Sequence, residues 1–478
     1  MIEQKIKSAI FWSAWEIFSK YGINFLITII LARLIAPAEF GFFALVTFFI
    51  NFSVIFIDAG FSSSLIQDPE SNLRDESTIF WANLVIGALA VIFLWVIAPL
   101  VANFYVEPRL AQLLRFMSLN VIISALSSVQ IAIYTKELNF EKLVKINLFA
   151  AIISSILAVW FAYNNFGIWA LAVQAVSQSL LITLLLWIFS KWRPIRIFDI
   201  EILKKRFSFS GYIFLSTIFN LLFSNIYALI LGRMNMMKEI GYYQRAVSIT
   251  DSFSSLLSNL VAKISFPIFS KLQMRKVLLK RGVKNSLRLA MLFNAPIMMG
   301  LFAVADNLVP MLYGDAWDFS VQYVRILAIA GILMPVHSVN LSLLLAQGAS
   351  NDYFKLEILK KITATFFVVI GASYFGVLGV ALATLLFSPI GLLANTYFTK
   401  SYLTYSLRDQ LSDVAPSICI ASLMAAIVYL IPRVFASAGH LCLPIQIVSG
   451  VLLYWLLTIM FNNSGYKLFL SYIQKKSL

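Results

Sequence analysis

The residues of this chain that could do chemistry are ionisable side chains inside long apolar segments. Glu16 and Lys20 lie four positions apart in the first such segment, so they share one face of a helix. Arg245 and Asp251 lie six positions apart in a later segment and point to different faces of it. Because a charge inside a membrane is costly, such side chains usually bind ions, protons or charged ligands.

Four of the ionisable side chains are cationic candidates for contact with an anionic group. They are Lys20, Arg115, Arg245 and Arg325. The planar guanidinium of arginine suits phosphate, and Lys20 could meet phosphate as a point charge. Each has a competing structural interpretation. Lys20 could neutralise Glu16, and each arginine could extend its side chain toward the membrane surface.

Three acidic side chains are candidates for a coupling ion or a gate. They are Glu16, Asp58 and Asp251. Asp58 precedes Gly60 and a run of three serines, so it could instead cap a helix break. The polar candidates for sugar hydroxyls are Asn220 and Asn225. Hydrogen bonding between helices is the competing role of both amides.

The elements that position these residues are membrane-spanning helices. The chain has 478 residues, of which 60% are hydrophobic and 12% charged, whereas a soluble protein carries charge on about a quarter of its residues. Apolar runs of roughly 20 to 28 residues match the length that crosses a bilayer, so we predict an all-α polytopic membrane protein with about fourteen spans. The predicted spans are 9–35, 41–66, 77–103, 110–134, 143–163, 167–190, 207–232, 240–267, 284–311, 319–346, 354–373, 376–399, 412–432 and 442–461.

The distribution of basic residues predicts the orientation. Of the 37 Lys and Arg residues, the loops and ends on one side hold 27, the loops on the other side hold five, and the spans hold five. Excess positive charge marks the cytoplasmic side, so both termini are predicted to be cytoplasmic. The two richest loops, Lys191–Arg206 and Lys271–Arg288, would then set the topology and lie near anionic lipid. They do not require a nucleic-acid partner.

Composition argues against several function classes. The chain has two cysteines and two histidines, too few for a disulfide framework or a metal centre built on these residues. The sequence contains no phosphate-binding P-loop. Every predicted outer loop is about ten residues or shorter, which is typical of plain connectors. We therefore expect no cofactor, no metal and no enzymatic activity. Separately, the first apolar segment is too long for the apolar region of a signal peptide, which argues against a cleaved signal peptide.

The sequence contains an internal repeat. Residues 31–43 (LARLIAPAEFGFF) align with residues 231–243 (LGRMNMMKEIGYY). The aligned pairs include Arg33 with Arg233, Glu39 with Glu239, Gly41 with Gly241, Tyr105 with Tyr313, Arg115 with Arg325 and Gly167 with Gly376. Six predicted spans separate the copies, so the repeats are parallel and related by an axis along the membrane normal. We expect each repeated glutamate to open a helix and each repeated glycine to permit close helix packing.

The repeat predicts two similar lobes, and the halves of such proteins usually enclose a substrate path at their interface. The lobes are residues 1–190 and 207–400, joined by a basic cytoplasmic loop at 191–206. Residues 401–478 add two further transmembrane helices and a cytoplasmic tail.

Several segments, taken in order, resemble the Wzx-type polysaccharide flippases, in particular the WzxC-like subgroup. They include LARLIAPAEFG (31–41), DAGFSSSLIQ (58–67), LGRMNMMKEIGYYQRA (231–246), FPIFSKLQ (266–273) and LYGDAWDFSVQYVRILAIAG (312–331). That family belongs to the multidrug/oligosaccharidyl-lipid/polysaccharide exporter superfamily. The resemblance covers about residues 6 to 400 and thins over the last two spans.

The resemblance implies an inner-membrane flippase that moves undecaprenyl-pyrophosphate-linked oligosaccharide repeat units to the outer leaflet by alternating access. It also implies two six-helix lobes around a central cavity and coupling to an ion, H⁺ or Na⁺. A place beside a polysaccharide polymerase and a chain-length regulator in surface polysaccharide assembly follows from the same resemblance. Two alternatives stay open at this point. One is a cation-coupled multidrug exporter of the same superfamily, and the other, disfavoured by the short outer loops, is a polysaccharide polymerase or ligase.

Overall fold

The computed structural model describes residues 22–476, except 24, 59–60, 69–70, 138 and 435–440. All the regular elements in this part of the chain are helices, as the composition predicted. The first nine are α1 (Phe25–Leu34), α2 (Pro37–Asp58), α3 (Phe61–Gln67), α4 (Leu73–Phe104), α5 (Arg109–Met117), α6 (Leu119–Lys136), α7 (Phe140–Tyr163), α8 (Ile168–Phe189) and α9 (Ile200–Arg233). The others are α10 (Met237–Leu272), α11 (Lys276–Tyr313), a 3₁₀ turn (Asp315–Trp317), α12 (Ser320–Gly331), α13 (Met334–Ala346), α14 (Ser350–Lys400), α15 (Leu407–Val434), α16 (Cys442–Met460) and α17 (Ser464–Lys476).

Twelve helical segments of the described residues are long and apolar enough to cross a membrane. The all-helical polytopic fold is therefore confirmed, and the predicted count of fourteen is close without being confirmed. Two features account for the difference. Most of the first predicted span lies outside the described residues, and two predicted spans, 354–373 and 376–399, fall within the single element α14.

The chain turns back on itself within α14. Gly376 has φ 58° and ψ −139°, a conformation that no helix contains and that favours glycine. Gly371 and Gly379 face each other across this turn so closely that a Cβ on either would overlap the backbone carbonyl of the other. The element therefore consists of two helical arms that pack backbone against backbone, which explains why the sequence indicated two spans there.

Contacts divide the chain into two compact units, Met1–Gly241 (unit 1) and Tyr242–Leu478 (unit 2). The predicted lobe boundaries at 190 and 207 remain a prediction. In unit 1, helices α6 and α8 are joined by the Thr183 hydroxyl, which donates to the Ile123 carbonyl, and by the Trp187 indole, which donates to the Leu126 carbonyl. Such buried side-chain-to-backbone bonds hold helices together where water is absent.

Unit 2 is organised around the long helix α11, which packs against α12, α13, α15, α16 and α17. The Tyr454 hydroxyl of α16 donates to the Leu292 carbonyl of α11 at 2.9 Å. Asn307 of α11 donates to Gln446 of α16 at 2.8 Å. Helix α16, the last predicted span and one without a counterpart in the repeat, is therefore bound to α11 by polar contacts as well as by apolar packing.

The internal repeat is visible in the backbone. Gly167 adopts φ 55° and ψ −125°, nearly the same unusual conformation as its repeat partner Gly376. Tyr105 and Tyr313, another aligned pair, are both buried, with 4% and 1% of their surface exposed. These weak sequence matches therefore correspond to equivalent structural positions in the two copies.

The two strongest repeat glycines meet each other's helices within unit 1. A Cβ on Gly41 would overlap the carbonyl oxygen of Met237, and a Cβ on Gly241 would overlap that of Pro37. Met237 lies four positions before Gly241, and Pro37 lies four positions before Gly41. The contact between the two helices is therefore reciprocal. The first turns of α2 and α10 approach more closely than any side chain allows, as the sequence predicted for these positions.

We expect Gly41→Ala and Gly241→Ala each to lower the thermal unfolding midpoint of the purified protein, because a methyl group must push the two helices apart. Overpacking of this kind costs about 1–3 kcal/mol. The double variant should lose less than the sum of the two, since one methyl group already opens the shared contact. Gly300→Ala is the matched control, because a Cβ there meets no atom within 4 Å. Full additivity, or a loss no larger than in Gly300→Ala, would contradict the reciprocal contact.

Candidate functional site

The predicted site residues divide between the two units. Unit 1 contains Asp58, Arg115, Asn220 and Asn225, and unit 2 contains Arg245, Asp251 and Arg325. Glu16 and Lys20 lie outside the described residues. The environment of each described residue shows which contacts it makes and which chemistry it can still offer.

Arg115 of α5 lies over an aromatic ring of the preceding long helix. Its guanidinium carbon is 5.8 Å from the centre of the Trp95 ring of α4, within the range of a cation–π interaction. The Trp95 indole donates to the Ser118 hydroxyl, which donates in turn to the Arg115 carbonyl. The ring is therefore tied to the helix that carries the arginine.

Arg325 of α12 has the equivalent aromatic contact and an additional ionic one. Its guanidinium carbon is 5.7 Å from the centre of the Phe302 ring of α11 and 5.3 Å from that of Tyr429 of α15. It also forms a short ion pair with Asp306 of α11. This arginine is thus held between two rings and neutralised by a carboxylate.

The two repeat-related arginines differ in one respect. Each lies over an aromatic side chain of the long helix that precedes its own, Trp95 for Arg115 and Phe302 for Arg325. Only Arg325 has a carboxylate partner among the described residues. The repeat has therefore preserved the stacking but not the charge balance.

Asp58 accepts a hydrogen bond from the Ser62 backbone N–H at 2.9 Å. Ser62 is in the first turn of α3, which begins just after the end of α2. This is the contact that the helix-capping interpretation requires. Asp58 as an ion-binding residue stays a prediction.

The two asparagines of α9 have different surroundings. Asn225 donates back to the Leu221 carbonyl of its own helix at 3.0 Å, and its side chain is half-buried. Asn220 is exposed. Asn220 therefore has polar groups available for a ligand or a neighbouring molecule, whereas part of the capacity of Asn225 is used locally.

Arg245 and Asp251 of α10 lie in different environments, as their spacing predicted. Arg245 is half-buried and close enough to the Tyr313 hydroxyl to interact with it electrostatically. Asp251 is exposed, and its carbonyl accepts a hydrogen bond from the Ser255 hydroxyl. The described part of unit 2 thus has a half-buried arginine and an exposed aspartate on the same helix.

An open cavity of about 530 Å³ lies at the end of unit 2 where α11 and α12 meet. It is lined by Asp306, Pro310, Asp315, Asp318, Phe319, Val321, Gln322 and Arg325. Sequence reasoning selected only Arg325 from this set. Asp306 was available to it as an acidic residue near the end of a predicted span, whereas Asp315 and Asp318 lie in the connection between spans.

In unit 1, Glu39, Glu107 and Arg109 form a cluster of direct ion pairs. Glu39 accepts hydrogen bonds from Arg109 at 3.2 Å and from the Ile168 backbone N–H at 3.0 Å, so it joins the starts of α2, α5 and α8. Arg109 also pairs with Glu107 at 2.8 Å. Its hydrogen bond holds the pKa of the Glu107 carboxyl below the ordinary value. The repeated glutamate is structural in this copy, as predicted.

The basic segment Lys191–Arg206, which we predicted to set membrane topology, also forms specific ion pairs through Arg206. Arg206, 7% exposed, pairs with Asp68 at 2.9 Å and Asp75 at 3.2 Å and donates to the Ser64 carbonyl at 3.2 Å. It thereby binds α9 to α3 and α4. Its role is packing as well as orientation.

The second basic loop makes an equivalent attachment in unit 2. Asp413 of α15, 4% exposed, accepts hydrogen bonds from Arg288 at 2.7 and 3.0 Å and lies 3.2 Å from Lys284. The Tyr405 hydroxyl donates to the same carboxylate at 2.7 Å. Burial and this hydrogen bond raise the pKa of Tyr405. Sequence reasoning missed these carboxylates, because they are distant in sequence from the cations that bind them.

In the part of the chain that the structure describes, the His, Cys, Asp and Glu side chains form no group of three or more that could hold a metal ion. Cys419 and Cys442 are both free thiols.

Replacing Arg206 with Gln should lower the thermal unfolding midpoint markedly, because Asp68 and Asp75 would lose their shared cation. Breaking a buried ion pair from one side costs about 3–5 kcal/mol, and the partial exposure of Asp68 brings this to roughly 2–3 kcal/mol. Arg74→Gln is the control. Arg74 pairs with Asp199 at a similar distance, but its side chain is 59% exposed, so the loss should stay below about 1 kcal/mol. Equal losses in both variants would show that Arg206 is not a buried attachment point.

Comparison with known proteins identifies the chain's relatives. It is 26% identical to the teichuronic acid biosynthesis protein TuaB of Bacillus subtilis (strain 168) over 85% of this chain and 86% of that protein. It is 26% identical to the lipopolysaccharide biosynthesis protein WzxC of Escherichia coli (strain K12) over 83% and 81%. The solved structure of the lipid II flippase MurJ in an inward closed conformation has the same fold, with a TM-score of 0.72, 17% identity, and coverage of 95% of this chain and 98% of that one.

A family model described as polysaccharide biosynthesis protein matches residues 30–322, more than half of the chain. The helical architecture, the internal repeat and this match agree. This multi-pass membrane protein belongs to the polysaccharide biosynthesis protein family.

Proposed function

We propose that this chain is a flippase that moves undecaprenyl-pyrophosphate-linked oligosaccharide repeat units from the cytoplasmic to the outer leaflet of the bacterial inner membrane. It works by alternating access and supplies an assembly route for a surface polysaccharide such as O-antigen, capsule or exopolysaccharide. Both termini lie in the cytoplasm, as the distribution of Lys and Arg indicates.

Family membership over residues 30–322 is the observation that carries the proposal. The two relatives described above are named for different polymers, a teichuronic acid and a lipopolysaccharide. A step that both pathways need is the movement of sugars on a lipid carrier, and it is a task for a polytopic membrane protein rather than for a soluble transferase. The fold shared with a lipid II flippase is compatible with this task.

The chemistry of such a substrate sets the demands on the protein. The polyprenyl tail can remain in lipid, whereas the pyrophosphate and the sugars cannot cross hydrocarbon without polar partners. Arginines suit pyrophosphate because their planar guanidinium forms paired hydrogen bonds. Arg245 and Arg325, with Lys20, are the residues we propose for the headgroup, and the amides Asn220 and Asn225 suit sugar hydroxyls. Arg115, the fourth cation predicted to contact the substrate, stays a prediction in this role.

The transport cycle requires a source of energy, and we propose a coupling ion, H⁺ or Na⁺. Glu16, Asp58 and Asp251 are the acidic residues that could bind it. The exposure of Asp251 in the described structure supports access from outside its helix. A polysaccharide polymerase and a chain-length regulator are the proposed neighbours in the pathway.

A cation-coupled drug exporter of the same superfamily is the alternative. Such a pump favours acidic groups for its cationic substrates. Among the ionisable residues predicted well inside the spans, the basic ones at least match the acids in number, which favours an anionic substrate. A polymerase or ligase is less compatible with the short outer loops.

Removing the protein from its host should abolish the surface polymer and leave carrier-linked repeat units facing the cytoplasm. The measurement is the fraction of these repeats that an impermeant periodate reagent oxidises in intact spheroplasts. Restoring the wild-type gene should raise that fraction again, with no change in resistance to cationic drugs. An unchanged fraction, together with lost drug resistance, would replace the flippase by an exporter.

The headgroup residues are tested in the same assay. Arg245→Ala and Arg325→Ala, at wild-type amounts in the membrane, should each lower polymer at least about tenfold, since a lost charge-assisted hydrogen bond costs about 1.5–3 kcal/mol. Lys400→Ala, which changes an exposed cation at the end of α14, is the control and should have no effect. Normal polymer in both arginine variants would remove them from the translocation path.

A further inference from the structure

The Arg115–Trp95 pair is a cationic site whose charge is not balanced by any carboxylate of the described residues. Arg115 is exposed, and within the described residues its guanidinium has no carboxylate partner. It lies six residues inside α5, about 9 Å from the start of that helix. On a candidate membrane span, a guanidinium without a carboxylate partner favours an anionic ligand, because hydrocarbon does not solvate the charge.

The aromatic floor of this site is fixed in position. Trp95 is 51% exposed, yet its indole N–H is bound at 3.1 Å to Ser118, a fully buried residue of the α5–α6 junction. Ser118 is itself bound to the Arg115 carbonyl at 2.6 Å. The ring therefore cannot turn away from the guanidinium, and one face of the cation is covered while its N–H groups on the other sides stay available.

The second copy of the repeat shows what a balanced version of this site looks like. Arg325 lies over Phe302 just as Arg115 lies over Trp95, but Asp306 neutralises it. The ring of Tyr429, contributed by α15, covers it further. In the first copy neither the carboxylate nor the second ring is present among the described residues, so Arg115 is open where Arg325 is closed.

An exposed apolar stripe adjoins Trp95 on α4. Its members recur at intervals of three or four positions, so they share one face of the helix. They are Val85 (57% exposed), Leu89 (61%), Ile92 (60%), Val96 (65%) and Leu100 (65%). On a membrane-spanning helix such a face lies against lipid chains. The cation of Arg115 therefore borders a surface made for an acyl chain.

We propose that Arg115 and Trp95 form a binding site for an anionic phospholipid of the bilayer. The guanidinium N–H groups of Arg115 donate hydrogen bonds to the lipid phosphate, and the acyl chain lies along the exposed apolar stripe on α4. Arg115 then serves to hold unit 1 at a fixed depth in the membrane, and Arg325, which is paired with Asp306, is not part of this phospholipid site. This inference does not depend on the proposed function, since any bilayer supplies the ligand.

Quenching of tryptophan fluorescence by brominated lipids tests the site locally. The protein is reconstituted in vesicles containing either dibrominated phosphatidylglycerol or dibrominated phosphatidylcholine. Subtracting the signal of Trp95→Phe from that of wild type isolates the contribution of Trp95. We expect phosphatidylglycerol to be enriched about fivefold over phosphatidylcholine at Trp95, the effect of one basic residue on anionic lipid. The same subtraction is made in Arg115→Gln and Arg325→Gln backgrounds.

The enrichment should fall to about one in Arg115→Gln and remain in Arg325→Gln. The basic loops are unchanged in both variants, so a loss confined to Arg115→Gln cannot come from them. Undiminished enrichment in Arg115→Gln would overturn the proposal. It would also fail if phosphatidylglycerol showed no preference while undecaprenyl phosphate added to phosphatidylcholine vesicles protected Trp95 from quenching, because Arg115 would then contact the carrier lipid instead.

Discussion

A charge inside a lipid bilayer must find its counter-charge within the protein, in a bound ligand or in the lipid itself. This constraint organises the described part of the chain. Buried charges near the predicted membrane surface follow a similar rule, since Arg206 pairs with two carboxylates and Asp413 with two cations of other elements. Arg325 has a carboxylate and two aromatic rings. The exposed guanidinium of Arg115 has no carboxylate partner among the described residues, so we infer that its counter-charge comes from the lipid.

The same constraint shows what the duplication has kept. Both copies retain backbone features that side chains cannot replace, namely the reciprocal contact of Gly41 and Gly241 and the shared conformation of Gly167 and Gly376. Both also retain an arginine stacked on an aromatic ring of the preceding long helix. The partners of those arginines have diverged. The two copies thus share backbone features and the stacked arginine, and they differ in the charged partners of that arginine.

Much of the fold could be predicted from sequence because a helix that crosses the hydrocarbon of a bilayer must be a long run of apolar residues. Spans as long as a bilayer is thick are visible as apolar runs, and Gly376 separates two of them. The close approach at Gly41 was also predictable, since a repeated glycine at a helix start has few other uses. The pairing of Arg325 with Asp306 was not, because it depends on how two antiparallel helices are rotated about their axes. Sequence periodicity does not fix that rotation when both faces of a helix are apolar.

The attachment of the basic loops shows a second limit. The excess of Lys and Arg predicted orientation from numbers alone, which needs no knowledge of partners. Asp75 and Arg206 are separated by more than a hundred residues in sequence, and Arg288 and Asp413 likewise. Only the packing of α9 on α4, and of α15 on α11, reveals that these cations also hold helices together. A count of charges therefore located the membrane surface but not the ion pairs built there.

As the flippase that we propose, the protein carries a lipid-linked sugar headgroup across the membrane. The most direct measurement uses purified protein in vesicles that contain undecaprenyl-pyrophosphate-linked oligosaccharide with a fluorescent sugar, and follows the fraction reduced by an impermeant quencher added outside. With an H⁺ or Na⁺ gradient imposed, this fraction should change within minutes in protein-containing vesicles and stay constant in protein-free ones. Identical, constant fractions in both kinds of vesicle, with correctly folded and inserted protein, would show that the protein is not a flippase for this lipid.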